Sequence, residues 1–216
     1  MHHEQPTGGE PSPPPQQPAE ASAAAPAEYH EAEPAIQPQI WVASLADYNN
    51  GTLHGQWLDA AQDETELQAD IAAMLAASPL TAATGEPAEE WAIHDYQGFG
   101  ALPIYEHENL SWISRVAKGI AEHGLPFAAY ADVMEDEELL AGFEDDYLGH
   151  YDDLHAYVEQ LINDLGYDRI LDENLPPSIR PYVKIDITAT ARDLELGGDL
   201  HVVPASDGGG VWIFRG

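Results

Sequence analysis

The first hydrophobic pattern of the chain predicts a small antiparallel sheet with one helix. An apolar run at residues 40–45 has the length of a strand, and a second strand is predicted at 53–58. The Asn-Asn-Gly sequence at 49–51 has the composition of a hairpin turn, because Asn and Gly tolerate positive φ angles. A third strand is predicted at 91–94. Between the second and third strands, apolar residues recur at helical spacing: Leu67, Ile71, Met74 and Leu75.

Residues 108–141 carry the pattern of a helical region. The first helix has three apolar residues on one face: Trp112, Val116 and Ile120. Gly124 and Pro126 end this helix, because glycine favours a helix end and proline cannot continue a helix. The spacing of the next apolar residues predicts a second, short helix: Phe127, Tyr130 and Val133.

The C-terminal region mixes helix and strand patterns. Asp152 and Asp153 are N-cap candidates for a helix whose apolar stripe covers residues 154–165. Residues 182–196 alternate like a strand at their start and repeat like a helix towards their end, so periodicity leaves both open. Two short strands close the chain, with a turn between them: 200–203, 207–208 and 211–214.

These patterns predict an α+β fold built from small domains behind a disordered tail. Residues 1–38 alternate proline with Ala, Gln and Glu, and they hold almost nothing that could form a core. Three folded domains are predicted after this tail. They are an N-terminal α+β domain at 39–107, a helical middle domain at 108–141 and a C-terminal α+β domain at 142–216.

The second informative feature of the sequence is its charge, because the formal net charge is −32. No Lys or Arg precedes Arg115, and the fifty residues between Lys118 and Arg169 hold fourteen carboxylates and no basic side chain. Such a field repels nucleic acids and membrane surfaces and suits a strongly basic partner. We expect the partner to contact a surface, called here the acidic surface, made of eleven residues: Asp132, Glu135, Asp136, Glu137, Glu138, Glu144, Asp145, Asp146, Asp152, Asp153 and Glu159.

The residues that could carry catalysis or bind a cofactor form no recognisable constellation. The chain has no cysteine, which excludes disulfides, thiolate zinc sites and cysteine nucleophiles. His150 and His155 are five residues apart, off the spacing that places two metal ligands on one helix face. We therefore predict no catalytic, cofactor-binding or metal-binding residues and no enzyme. With no apolar run of membrane-spanning length and no signal peptide, a cytoplasmic location is expected.

Composition alone is also compatible with two different roles for the charge. A halophilic surface would deplete lysine, as this chain does, but would spread its acids evenly. An acidic chaperone for histone-like proteins would also present carboxylates to basic partners, usually on a disordered tail. Here aromatic and apolar residues interleave the acids and tie them to a folded scaffold: Phe143, Tyr147, Tyr151 and Leu154.

Four blocks of the sequence resemble the ArdA family of antirestriction proteins. The first reads VASLADYNNGTLHGQWLDA and the second EWAIHDY. The third, FEDDYLGHYD, contains four members of the acidic surface, and the fourth reads ARDLELGGDL. Residues 211–215 close the family pattern. The blocks keep their order along the chain, at 42–60, 90–96, 143–152 and 191–200.

This resemblance implies a protein that mimics duplex DNA. Family members are elongated homodimers of small α+β and helical domains, and they occupy the DNA-binding groove of type I restriction-modification enzymes. The implied partners are therefore such an enzyme and a second copy of the chain, with no nucleic acid and no membrane. The resemblance also implies that residues 186–196 are helical.

The amount of charge fits this implication. Residues 39–216 hold 33 acidic and 7 basic residues, a net charge of −26, so a dimer would carry −52. Duplex DNA carries one charge per about 1.7 Å of axis, so this charge would match roughly 90 Å of duplex. Carboxylates could then replace phosphates as acceptors for Arg and Lys side chains.

Overall fold

The protein has a mixed α+β fold with two antiparallel sheets, and its computed structural model describes residues 36–134, 138–206 and 208–216. The predicted tail thus lies outside the described residues except for its last three. Glu135, Asp136, Glu137 and Asp207 lie outside them as well. The first sheet has the order β2-β1-β3. Its elements are β1 (Gln39–Ser44), α1 (Leu45–Asn49), β2 (Gly55–Asp59), α2 (Glu64–Ala76), α3 (Pro79–Thr84) and β3 (Trp91–Gln97).

The three predicted strands and the predicted helix of this region are confirmed. Strand β1 pairs antiparallel with both neighbours, with Trp41 opposite Trp57 on β2. Their indole rings meet edge to face, with centroids 5.8 Å apart. Helix α2 places Leu67, Ile71 and Met74 in the core, as their spacing predicts.

The predicted hairpin turn at 49–51 is wrong in one respect, because the one-turn helix α1 stands between β1 and β2. The Ser44 hydroxyl oxygen accepts a hydrogen bond from the Asp47 amide (3.3 Å), which caps the helix start. Asn50 caps its end, and Gly51 then turns the chain at φ 83°. The Asn-Gly pair therefore closes a helix rather than a two-residue hairpin.

A buried carboxylate joins α1 to α3. Asp47 is fully buried, and its Oδ1 accepts a hydrogen bond from the Leu80 amide (2.9 Å) in the first turn of α3. Ser78 caps that helix by accepting from Thr81 (3.1 Å), so Pro79 begins a helix instead of only following α2. Helix α3 was not predicted from the sequence.

The middle of the chain is helical, as predicted. Helix α4 (Leu110–His123) ends at Gly124, and α5 (Leu125–Met134) follows at once. The two helices pack closely at Gly119, where an added Cβ would lie 2.2 Å from the Phe127 ring. A 3₁₀ turn (Leu139–Gly142) and the short helix α6 (Phe143–Asp146) come next.

The C-terminal region contains the second sheet, in the order β4-β6-β5. The elements are β4 (Tyr147–Tyr151), α7 (Leu154–Asp164), α8 (Tyr167–Asn174), a 3₁₀ turn (Arg180–Tyr182), α9 (Ile187–Gly197), β5 (Leu200–Pro204) and β6 (Val211–Arg215). Strands β5 and β6 and helix α7 are confirmed. Helix α9 agrees with the helix that the family resemblance implied for 186–196, whereas β4 and α8 were not predicted.

One hydrophobic core connects these regions. Its buried members run from Ile40 in β1 to Phe214 in β6. The link to the second sheet is an aromatic cluster in which the Tyr130 ring lies 5.4 Å from Phe214 and 5.5 Å from Phe143. The predicted domain boundaries at 107/108 and 141/142 stay predictions.

Candidate acidic interface

The acidic surface begins at the end of α5. One face of this helix is buried in the core through four residues: Phe127, Ala128, Tyr130 and Ala131. Asp132 follows them and is exposed. Glu138, also exposed, directly precedes the 3₁₀ turn. The three acids between Met134 and Glu138 are outside the described residues, so their place on this surface stays a prediction.

Helix α6 presents two of the predicted carboxylates to solvent. Glu144 and Asp145 are exposed, whereas Phe143 beside them is buried. The Phe143 ring stacks on Tyr147, with centroids 5.2 Å apart and planes 14° apart. Because the aromatic anchor is held on several sides, the short helix has a fixed position, and its two carboxylates are presented by an ordered backbone.

Asp146 has a different environment from its two neighbours. It is half-buried, and its Oδ2 accepts a hydrogen bond from the hydroxyl of buried Tyr130 at 2.7 Å. The same hydroxyl lies 3.2 Å from the Leu139 carbonyl oxygen. Burial, then the hydrogen bond and negative charge of Asp146, raise the pKa of Tyr130 above its ordinary value. The Tyr130 hydroxyl therefore links α5 to both α6 and the 3₁₀ turn, and Asp146 is its partner in α6.

The second part of the acidic surface surrounds the start of α7. Asp152 and Asp153 are both exposed, and Asp153 is the N-cap residue, as predicted. Its Oδ1 accepts a hydrogen bond from the Ala156 amide at 2.8 Å. Glu159 lies further along α7 and is exposed, next to the buried Val158. Strand β4 connects this part to α6.

Three basic side chains are paired with acids outside the acidic surface. Lys118 contacts Asp63, and Arg169 lies 3.8 Å from Glu173. Arg180 contacts two carboxylates of α8, Asp172 at 2.5 Å and Asp168 at 2.9 Å. The hydrogen bond with Asp172 raises the pKa of Arg180, and burial opposes this effect. Between Lys118 and Arg169 the sequence itself contains no Lys or Arg that could neutralise the acidic surface.

Exposed carboxylates also lie outside the predicted surface. The start of α2 carries Asp63, Glu64 and Glu66, all exposed, and Asp63 and Glu66 form a capping box. The sequence contained a signal for this wider distribution, because no base precedes Arg115. Clustering alone does not predict these acids, because the longest runs of consecutive carboxylates lie in the acidic surface.

The residues that the structure describes contain neither a metal-binding cluster nor a membrane span. In this part of the chain, no group of three or more His, Asp or Glu residues is placed to hold a metal ion. No helix in the same residues is long and apolar enough to cross a membrane.

Comparison with known proteins identifies the family. The family model described as antirestriction protein (ArdA) matches residues 40–206, which is well over half of the chain. A search of curated proteins gave no match. The matched residues include all the described members of the acidic surface. The chain belongs to the ArdA family of antirestriction proteins.

Proposed function

We propose that this protein inhibits type I restriction-modification enzymes by occupying their DNA-binding groove in place of duplex DNA. The observation that carries the proposal is the fixed presentation of exposed carboxylates, on α5 and α6 by a buried aromatic cluster and at the start of α7 by the N-cap of Asp153. Carboxylates accept hydrogen bonds from the Arg and Lys side chains that otherwise bind phosphates. They offer no phosphodiester to cleave and no base to flip.

An ordered scaffold matters to such an inhibitor. Ordering flexible side chains and loops on binding costs free energy, and a surface that is ordered beforehand avoids much of this cost. Glu144 and Asp145 are held by buried Phe143, and Asp153 by its cap on α7. This order favours the mimic over an acidic chaperone, whose carboxylates usually lie on a disordered tail.

The proposal includes a homodimer, as the family resemblance implies. Six large hydrophobic side chains between α7 and β5 are exposed and could support association: Leu165, Tyr167, Ile170, Ile179, Tyr182 and Leu196. Because its partner acts on DNA inside the cell, the proposal also places the protein in the cytoplasm. It requires no catalytic step.

Competition with DNA tests this proposal. Purified protein is added to a type I enzyme at increasing concentrations of duplex DNA, with methylation and cleavage as the two readouts. We expect stoichiometric inhibition that excess duplex reverses and that rising salt weakens, because the basic groove loses a polyanion in both cases. Inhibition that persists at saturating DNA, or a covalent change in the enzyme, would contradict the proposal. Failure to inhibit type I enzymes, with tight binding to histone-like proteins, would favour the acidic chaperone.

A further inference from the structure

An open groove lies at the start of β3, far along the chain from the acidic surface. It consists of two adjoining cavities of about 490 and 310 Å³ that share Glu89 and Trp91. We call it the Trp91 groove and define it by six residues of the larger cavity: Leu45, Glu89, Glu90, Trp91, His107 and Glu108. The smaller cavity continues towards α2. Both volumes fall within or near the range of about 300–1,000 Å³ typical of ligand pockets.

Backbone hydrogen bonds hold the two walls of this groove in place. The Leu45 amide donates to the Glu90 carbonyl oxygen at 3.0 Å, next to the pairing of Trp91 with Ser44. On the other wall, the Glu108 amide donates to the Tyr105 carbonyl oxygen at 3.2 Å. The backbone is therefore ordered at Glu90 and at Glu108.

The chemistry of the groove suits a cation with a flat face. Three glutamates, Glu89, Glu90 and Glu108, line the larger cavity together with half-buried Trp91. The Glu108 Oε1 also accepts a hydrogen bond from the Asn109 amide at 3.1 Å. Among the described residues that line either cavity, none is Lys or Arg. An indole attracts a cation placed over its face, and a guanidinium can stack on the ring while its N–H groups reach carboxylates.

We propose that the Trp91 groove receives an arginine side chain of the partner protein. This proposal deepens the proposed function and rests on it only for the source of the arginine, which would be the basic groove of the enzyme. Charge complementarity argues for a basic protein as the occupant. The site differs in kind from the acidic surface, because it adds an aromatic face that discriminates arginine from other cations by shape.

Direct binding of a small probe tests the site without any enzyme. The probe is N-acetyl-arginine methylamide, and its neutral isostere N-acetyl-citrulline methylamide is the control. The readout is the indole N–H resonance of Trp91 in ¹⁵N NMR spectra, assigned with Trp91→Phe. We expect this resonance to move in a saturable way with the arginine probe only. An equal response to citrulline, or no movement of the resonance, would overturn the proposal.

A matched pair of charge substitutions separates the site from the general field. Glu89→Gln removes a carboxylate that lines both cavities, whereas Glu86→Gln removes one in the same loop that lines neither. We expect Glu89→Gln to weaken binding of the probe several-fold, and Glu86→Gln to leave it nearly unchanged, because exposed charges away from the cation are screened. Equal effects of the two variants would reject a specific site.

The enzyme assay then distinguishes the two proposals. Trp91→Leu keeps an apolar side chain but removes the aromatic face, and we expect roughly tenfold weaker inhibition of a type I enzyme. Because Trp91 packs against the core, Tm is measured for each variant, and Glu89→Gln serves as the substitution that leaves this packing intact. If the natural protein inhibits but Glu89→Gln and Glu86→Gln inhibit equally, the groove proposal fails. If the natural protein does not inhibit while the arginine probe binds, only the proposed function fails.

Discussion

The α1–α3 junction and the segment around α6 use carboxylates in opposite ways. In the junction, Asp47 is fully buried and accepts a hydrogen bond from the Leu80 amide. In α6, Glu144 and Asp145 are exposed, and only Asp146 next to them turns inward to Tyr130. The difference shows that an acid-rich sequence contains two populations, one that stabilises the fold and one that presents charge. A carboxylate belongs to the first population when it is buried or half-buried and the fold supplies a donor for it.

The largest effect on stability is expected from Asp47→Ala. The substitution leaves the Leu80 amide without its acceptor inside the protein, and it opens the contact between α1 and α3. Loss of a buried hydrogen-bonded group belongs to the most damaging class of substitutions, so we expect Tm to fall by roughly 5–10 °C. Thermal unfolding followed by circular dichroism measures this. A Tm within about 1 °C of that of the natural protein would show that Asp47 does not stabilise the contact between α1 and α3.

The stability that Asp47 contributes should decrease as the pH falls. Burial alone would raise the pKa of Asp47, but the Ser78 and Ser44 hydroxyls and the Leu80 amide together lower it below its ordinary value. Stability from this group is therefore present above its unfolded pKa of about 4 and is lost as pH falls through the lower folded value. Asp47→Asn should remove this part of the acid sensitivity, which urea unfolding between pH 3 and pH 6 would detect.

A smaller effect is expected from Tyr130→Phe. The substitution keeps the ring in the aromatic cluster but removes the donor to Asp146 Oδ2. Loss of one hydrogen bond to a charged acceptor should lower the free energy of unfolding by about 1–2 kcal/mol. Urea unfolding of Tyr130→Phe, Asp146→Ala and the double variant forms a double-mutant cycle. Additive effects would mean that the two side chains do not interact.

The structure also explains why sequence reasoning found one population more easily than the other. The strands of the first sheet and helices α2, α4 and α7 have local apolar periodicity, and they were predicted. Asp146 has the same local surroundings as Asp145, and its partner Tyr130 lies 16 residues earlier in the chain. No local pattern reports such a contact. Composition predicted an acidic surface, but it could not distinguish Asp146, which stabilises the fold, from the exposed members of that surface.

The missed elements have similar causes. Strand β4 contains Gly149 at φ 126° and lacks clear alternation, and it is a strand because it pairs with β6, more than 60 residues later. Helix α1 stands in place of the predicted hairpin turn for two reasons. The Ser44 hydroxyl caps its start, and Asp47 accepts a hydrogen bond from the Leu80 amide, 33 residues later in the chain. The Trp91 groove, likewise, combines loops that precede β3 and α4. Such features depend on tertiary contacts.

The next effect in size concerns the start of α7. Asp153→Ala removes the side chain that accepts from the Ala156 amide, and loss of an N-cap lowers the free energy of unfolding by about 1 kcal/mol. Asp152→Ala is the matched control, because this neighbouring acid is exposed and does not cap the helix. Chemical denaturation compares the two variants. Equal losses would mean that charge near the helix start, and not the cap, stabilises α7.

The smallest effect on stability is expected from the double substitution Glu144→Gln and Asp145→Asn. Both side chains are exposed, so the free energy of unfolding should change by less than about 0.5 kcal/mol.

If these carboxylates replace phosphates, the same variant should nevertheless inhibit a type I enzyme several-fold less well, and further amides at Asp132 and Glu138 should add to the loss. Each single amide should do little, because the field is shared among many groups. The comparison with Asp146→Ala is decisive: loss of the acceptor for the Tyr130 hydroxyl should lower stability more than the double substitution does. A single amide that abolished inhibition while stability stayed unchanged would replace the shared field with one specific contact.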